Sequence, residues 1–219
     1  AKADVLIEFR QHYSGPAIRQ YGNMIRAIDC PDDFTSNRRR ICDLRLTCGR
    51  TAVHSDMLVW IANETAVGAA KPILSAIFGV IQYSMVLQTL PRSHREVIRN
   101  WLEFSQKHRE TLLKGDFRPH RPDFGYPSIE AESKNERILA VYLDSWAVCA
   151  GKPDKPVIVL NATDCDKLTV HLEMPADVSI VDVTGKTDDV VKHFPTGWVD
   201  LPIPPGGRAA IRWCAPPER

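Results

Sequence analysis

Over the first sixty residues, charged side chains collect where apolar runs end. Val5-Leu-Ile-Glu-Phe9 carries Glu8 and leads into Arg10 and Gln11. Asn23-Met-Ile-Arg-Ala-Ile28 carries Arg26 and leads into Asp29, with Asp32 and Asp33 just beyond. Thr51-Ala-Val-His54 leads into Ser55 and Asp56. If these runs are neighbouring parallel strands, the charges line the mouth at which such folds keep their working groups. Carboxylates beside an arginine there suit acid/base chemistry on a polyhydroxylated substrate. Each residue also has a structural reading. Asp29, Asp32 and Asp33 are candidate helix caps, Arg26 with Asp29 could be a plain ion pair, and Glu8 could face Arg10 across adjacent strands. Taken singly the structural reading is the stronger. Taken together, three successive strands ending in charge favour a site.

The elements that must hold these residues follow from periodicity. Strand-like runs at 5–9, 23–28, 51–54 and 81–86 alternate with helical patterns at 33–46, 64–80 and from Ser93 to Gly115. Arg38-Arg39-Arg40 is expected to lie largely outward. Ser93-His-Arg-Glu96 reads as a capping box and Gly115 as the residue just past the helix end. Strand and helix alternating four times in about 115 residues is the rhythm of a parallel α/β fold, and about half of an eight-stranded barrel fits in that length. Phe117 to Pro127 holds three prolines and reads as a linker or entry loop. Six short strand-like runs follow, at 137–142, 156–160, 167–171, 178–183, 198–201 and 208–213, which suggests a small antiparallel sandwich. The expected fold is therefore α/β plus all-β: the C-terminal half of a (β/α)8 TIM barrel over residues 1–115, then a β-sandwich over 116–219.

Composition narrows the function classes. The 28 Lys and Arg against 27 Asp and Glu leave a formal net charge of +1, which argues against nucleic-acid coating and electrostatic membrane docking. No apolar run approaches the roughly 20 residues of a membrane span. The six cysteines show no C-x-x-C pair and no zinc-type C…H spacing, so free and mostly buried thiols are expected, with no metal. Asn63 and Asn161 head N-x-S/T tripeptides, which arise often by chance.

The segment Ile18-Arg-Gln-Tyr-Gly-Asn-Met-Ile-Arg-Ala-Ile-Asp-Cys-Pro-Asp-Asp33 resembles the stretch through the sixth barrel strand of melibiase-type α-galactosidases. Val53-His-Ser-Asp-Met-Leu-Val59 resembles that family's next strand, and Ile81-Gln-Tyr-Ser-Met-Val-Leu87 its eighth. The resemblance is specific over about residues 4–100 and architectural afterwards. It implies a retaining glycoside hydrolase working with two carboxylates, without metal or organic cofactor. Asp29 matches the acid/base, with Asp32 as runner-up because the spacing from Arg26 is one residue shorter than the family pattern. Arg26 matches the sugar-binding arginine, and Asp56 the Asp of the Asp-Met-Leu motif that hydrogen-bonds sugar hydroxyls. Glu8 matches an acidic sugar ligand more weakly, and Arg10 joins the substrate-binding set.

The family's Lys-x-Asp nucleophile strand has no counterpart in residues 1–219. The resemblance therefore implies the C-terminal fragment of a larger enzyme acting on an α-linked terminal sugar, galactose first. The fragment itself would be inactive and would associate with a second copy or with the parent's N-terminal half. A periplasmic or extracellular compartment fits such a parent. The alternative is a non-catalytic carbohydrate-binding or scaffold protein, in which the carboxylates only bind sugar.

Overall fold

The computed structural model describes residues 5–9, 15, 17–27, 29, 33–49, 51–188 and 190–214. In its first half, β1 (Glu8–Phe9), β2 (Met24–Arg26), β3 (Ala52–Leu58) and β4 (Val80–Tyr83) form a parallel sheet in the order β1-β2-β3-β4. The helices α1 (Phe34–Thr47), α2 (Ala66–Ser75), α3 (Arg92–Lys107) and α4 (Arg109–Lys114) complete it. Asp33 caps α1, accepting from the Ser36 backbone N–H at 2.9 Å. The hydrogen bonds from Ser36 hold its carboxyl below the usual range. Thr65 caps α2 through the Gly68 N–H in the same way.

The second half is built of strands, with one 3-10 turn at Pro122–Phe124: β5 (Asp116–His120), β6 (Ser128–Glu132), β7 (Arg137–Val141), β8 (Val148–Cys149), β9 (Val157–Asn161), β10 (Leu168–Leu172), β11 (Ala176–Val181), β12 (Lys192–Phe194), β13 (Gly197–Leu201) and β14 (Arg208–Trp213). Seven of these build one sheet in the order β12-β11-β14-β9-β7-β6-β5, and three build another in the order β13-β10-β8.

The expectation of a half (β/α)8 TIM barrel followed by a small antiparallel sandwich is not met. Among the described residues the molecule is mostly sheet, with three sheets and fourteen strands against four α-helices. Two of the four strands of the parallel sheet, β1 and β2, span only two and three residues. Nor are the remaining sheets purely antiparallel, since β7 pairs with β9 and β8 with β10 in parallel.

Two cores show how the layers stack. One joins Ile25 and Val53 of the parallel sheet, Ile41, Ile73 and Trp101 of the helices, and Ile129, Ile138 and Leu160 of the seven-stranded sheet. The helices thus lie between two sheets, and this core draws on residues from both sides of position 115. The other core fills the space between the seven- and three-stranded sheets, with Leu139, Val159, Val170 and Ile211. Strand β7 serves both: Ile138 and Ala140 point into the first core, Leu139 and Val141 into the second. That is why Arg137-Ile-Leu-Ala-Val141 lacks the polar alternation of a half-exposed strand and is buried throughout.

Several local readings change. The Phe117–Pro127 segment supplies β5 instead of a linker. Ser93 falls inside the first turn of α3, whose preceding residue Pro91 makes no side-chain cap bond. Gly115 has an ordinary negative φ; it is glycine because a Cβ would collide with the carbonyls of Thr111 and Glu132. Arg38 is turned inward, donating to the Gly125 carbonyl at 3.1 Å and lying over the Tyr142 ring at 4.3 Å. Arg45 ties the layers together. Its guanidinium donates to the carbonyls of Phe78, Leu112 and Leu113 and stacks on Phe117 at 3.8 Å, and burial pulls it down to about 10. Asn161 is fully buried, with its amide donating to the carbonyls of Cys165 and Ile203, so its tripeptide offers no glycan site in the folded chain. Five described cysteines are free thiols, and of these only Cys42 and Cys48 are buried.

Because β7 feeds two cores, Ile138→Ala and Leu139→Ala should each cost about 2–5 kcal/mol, whereas Val191→Ala, at an exposed position, should stay within about 0.5 kcal/mol. Urea unfolding midpoints measure this, and a near-neutral effect at either β7 position would contradict burial on both faces.

Candidate functional site

The C-terminal ends of β1 to β3 bring a set of ionisable side chains around one arginine. Arg26 is the last residue of β2, with a side chain only 10% exposed. Its guanidinium lies 3.3 Å from the Asp56 carboxylate, 3.4 Å from Asp29 and 3.9 Å from Glu8. The parallel register places Glu8 beside Met24, and Arg26 beside His54. Residues two apart along a strand share a face, so Glu8, Arg26 and His54 stand on one face of the sheet. The His54 Nε2 comes to 3.6 Å from Glu8. Its Nδ1 lies 2.8 Å from the Ser55 carbonyl, which assigns the ring proton to Nδ1 when the imidazole is neutral.

The three carboxylates differ in setting. Asp29 sits in the bend after β2, its side chain 72% exposed, and is the one that solvent or a ligand reaches most readily. Glu8 is partly exposed. Asp56 is fully buried. It lies inside β3, where the pairing with β4 shifts register between His54 and Met57, and this irregularity turns the local backbone. The Asp56 backbone N–H donates to the side-chain oxygen of Asn37 on α1 at 3.2 Å.

Three buried polar atoms in this group have no hydrogen-bond partner among the described residues: His54 Nε2, Asp56 Oδ2 and Asn37 Nδ2. Unpaired buried polar groups are costly, about 1–3 kcal/mol each, and tend to mark places where something polar binds. One is an amide donor, one a carboxylate acceptor and one an imidazole nitrogen, the mixture that a ligand bearing several hydroxyls can satisfy.

Of the residues singled out in the sequence, Glu8, Arg26, Asp29 and Asp56 are brought together. Arg10 and Asp32 lie outside the described residues. Asp33 is the α1 cap and takes no part. Asn37 carried no sequence signal, because a polar residue on an amphipathic helix reads as solvated until the helix is docked. A separate cleft of about 750 Å³ lies beside α4 and the β6–β7 hairpin, lined among others by His108, Glu136 and Lys155. It is crossed by opposite charges and has no residues in common with the Arg26 group. No helix among the described residues is long and apolar enough to cross a membrane.

Removing one partner from a buried charge pair leaves the other stranded. Arg26→Met should therefore destabilise the chain by about 3–5 kcal/mol, and adding Asp56→Leu should recover much of that loss. Asp29→Ala should change stability by no more than about 1 kcal/mol, as for an exposed ion pair. Chemical denaturation of the four chains decides it; an Arg26→Met variant as stable as Asp29→Ala would contradict the buried pair. No family model matches the chain and no curated protein matches it, so the chemistry of the Arg26 group is read from its own geometry.

Proposed function

We propose that the Arg26 group binds a polyhydroxylated ligand, a glycoside of the kind cleaved by α-galactosidases, and that the chain carries the acid/base half of a retaining hydrolytic site. The observation that supports this is one arginine within ion-pair reach of three carboxylates, beside three buried polar atoms that make no hydrogen bond among the described residues. Arg26 supplies a fixed positive charge and a planar fork of donors, the geometry suited to oxygen-rich ligands. Glu8, partly exposed, accepts from sugar hydroxyls at the surface, and a sugar hydroxyl reaching inward past it would meet Asp56, His54 and Asn37, which are buried behind Arg26. Asp29, the most exposed carboxylate, protonates the departing glycosidic oxygen and then takes the proton from the attacking water. The second carboxylate of a retaining pair, the nucleophile, comes from outside these residues, so the chain alone binds sugar without hydrolysing it.

Association with a second copy belongs to the same reading. Among the described residues, strands β1 and β4 are the outer strands of their sheet, and Val5, Leu6 and Ile7 leading into β1 are exposed apolar residues. Unpaired strand edges with apolar flanks favour pairing with another chain. Light scattering should give a mass above the 24.6 kDa of one chain; a clean monomer at micromolar concentration would contradict this.

Saturation-transfer NMR with galactose, glucose and mannose tests the binding reading. Signal transfer is expected with at least one sugar, weakened in Glu8→Gln and Asp29→Asn. No transfer to any of them at millimolar sugar would overturn it. In a chain that does turn over glycosides, Asp29→Ala should lower the rate on unactivated substrates by about 10²–10⁴-fold and spare activated aryl glycosides. Equal losses would remove Asp29 from the acid role.

A further inference from the structure

At one end of β11, β12 and β14, far along the chain from the Arg26 group, three metal-ligating side chains stand together. Asp177 on β11 is paired in register with His193 on β12. Cys214 follows directly on β14 and extends its ladder, its backbone N–H donating to the Pro175 carbonyl at 2.9 Å. Pro175 immediately precedes β11 and lies two residues before Asp177, so Cys214 opposite Pro175 and His193 opposite Asp177 project from the same side of the sheet. The side chains converge accordingly. His193 Nδ1 lies 3.0 Å from Asp177 Oδ1 and 3.8 Å from Cys214 Sγ, and the three ligand atoms all fall within 4.8 Å of one another.

These separations suit one ion. Zinc bonds of about 2.0–2.3 Å in tetrahedral geometry hold ligand atoms about 3.3–3.7 Å apart, which the two His193 distances bracket. Small side-chain rotations complete the fit, and the strands that carry the ligands need not move. A thiolate, an imidazole and a carboxylate together suit a borderline-soft divalent ion better than calcium or magnesium, which select oxygen. Without an ion, Asp177 and His193 form an exposed cross-strand pair and the Cys214 thiol contacts both side chains; one ion would join all three. The Cys214 thiol is pushed up, by burial and by the Asp177 charge beside it. Arg212, directly across from Asp177 on β14, opposes a cation, so binding should be weaker than at a closed structural zinc site.

We propose that Asp177, His193 and Cys214 form a three-residue site for a zinc-like divalent cation, with a fourth coordination position open to solvent. Asp177 and His193 are exposed, so the ion enters without unfolding, and cross-linking three adjacent strands would stabilise this edge of the seven-stranded sheet.

Cobalt(II) titration of the reduced chain at neutral pH is the test. The expected result is a near-ultraviolet thiolate-to-cobalt band with strong visible bands of a tetrahedral ion, saturating at one ion per chain and displaced by zinc. Cys214→Ser should abolish the near-ultraviolet band. His193→Ala and Asp177→Asn should weaken binding by more than the about 10–100-fold typical of losing an outer partner. Cys149→Ser, Cys165→Ser and Cys30→Ser should leave the spectrum unchanged, the first two as controls for the other thiols not buried among the described residues and the third for the cysteine outside them. A weak octahedral spectrum with no thiolate band, or a band that survives Cys214→Ser, would overturn the site.

Discussion

A guanidinium almost wholly removed from water, held among three carboxylates, is the constraint on which the first half of this molecule turns. Burying a charge costs several kcal/mol unless it is paired well. Arg26 meets that demand with Asp56, which is itself fully buried. The pair joins the end of β2 to the middle of β3, and Glu8 joins β1 to the same group. Strands of two and three residues have few ladder hydrogen bonds of their own. Their alignment at this end therefore depends on ionic contacts as much as on the sheet. Beside the pair, polar atoms of His54, Asp56 and Asn37 are buried without a hydrogen bond among the described residues, and these make the group a candidate for recognising hydroxyls.

Apolar packing supplies the frame. The helices are covered on both sides, by the parallel sheet and by the seven-stranded sheet, and the second face of that larger sheet is covered in turn by the three-stranded one. Charged residues at the layer boundaries are accommodated by hydrogen bonds to carbonyls. Arg45 meets three of them, at the ends of α2 and α4, while Asn100 accepts from Arg208 at 2.8 Å and donates to the Val183 carbonyl at 3.0 Å. These contacts orient the helices that carry Asn37 and flank β3, and so connect the second half of the chain to the geometry around Arg26.

Local signals were the legible ones. The Asp33 cap, the start of α1 and the apolar runs of β7, β9, β11 and β14 could be read from neighbouring residues, because caps and periodicity act over a few positions. Partnership between distant segments could not. The parallel pairing of β7 with β9, and the assignment of ten later strands to two sheets, depend on contacts that periodicity does not encode, and this is where the half-barrel expectation failed. The Pro-rich segment hid β5 because proline argues against a strand; β5 is an edge strand, where the missing N–H of Pro119 costs no ladder bond. Around the site, the types of Glu8, Arg26, Asp29 and Asp56 pointed to charge at strand ends. The full burial of Asp56 is not visible in the sequence, since it depends on how α1 and β4 pack around β3, where the β3–β4 register is irregular. The inward turn of Arg38 is hidden for a similar reason: a basic run gives no sign that one member has an aromatic ring to stack on.

The most direct measurement is a crystal structure of the chain soaked with galactose. The account predicts sugar hydroxyls within hydrogen-bonding distance of Arg26 and Glu8, the anomeric oxygen facing Asp29, and partners gained by His54 Nε2 or Asn37 Nδ2. Sugar bound elsewhere on the molecule, with the Arg26 group untouched, would contradict it.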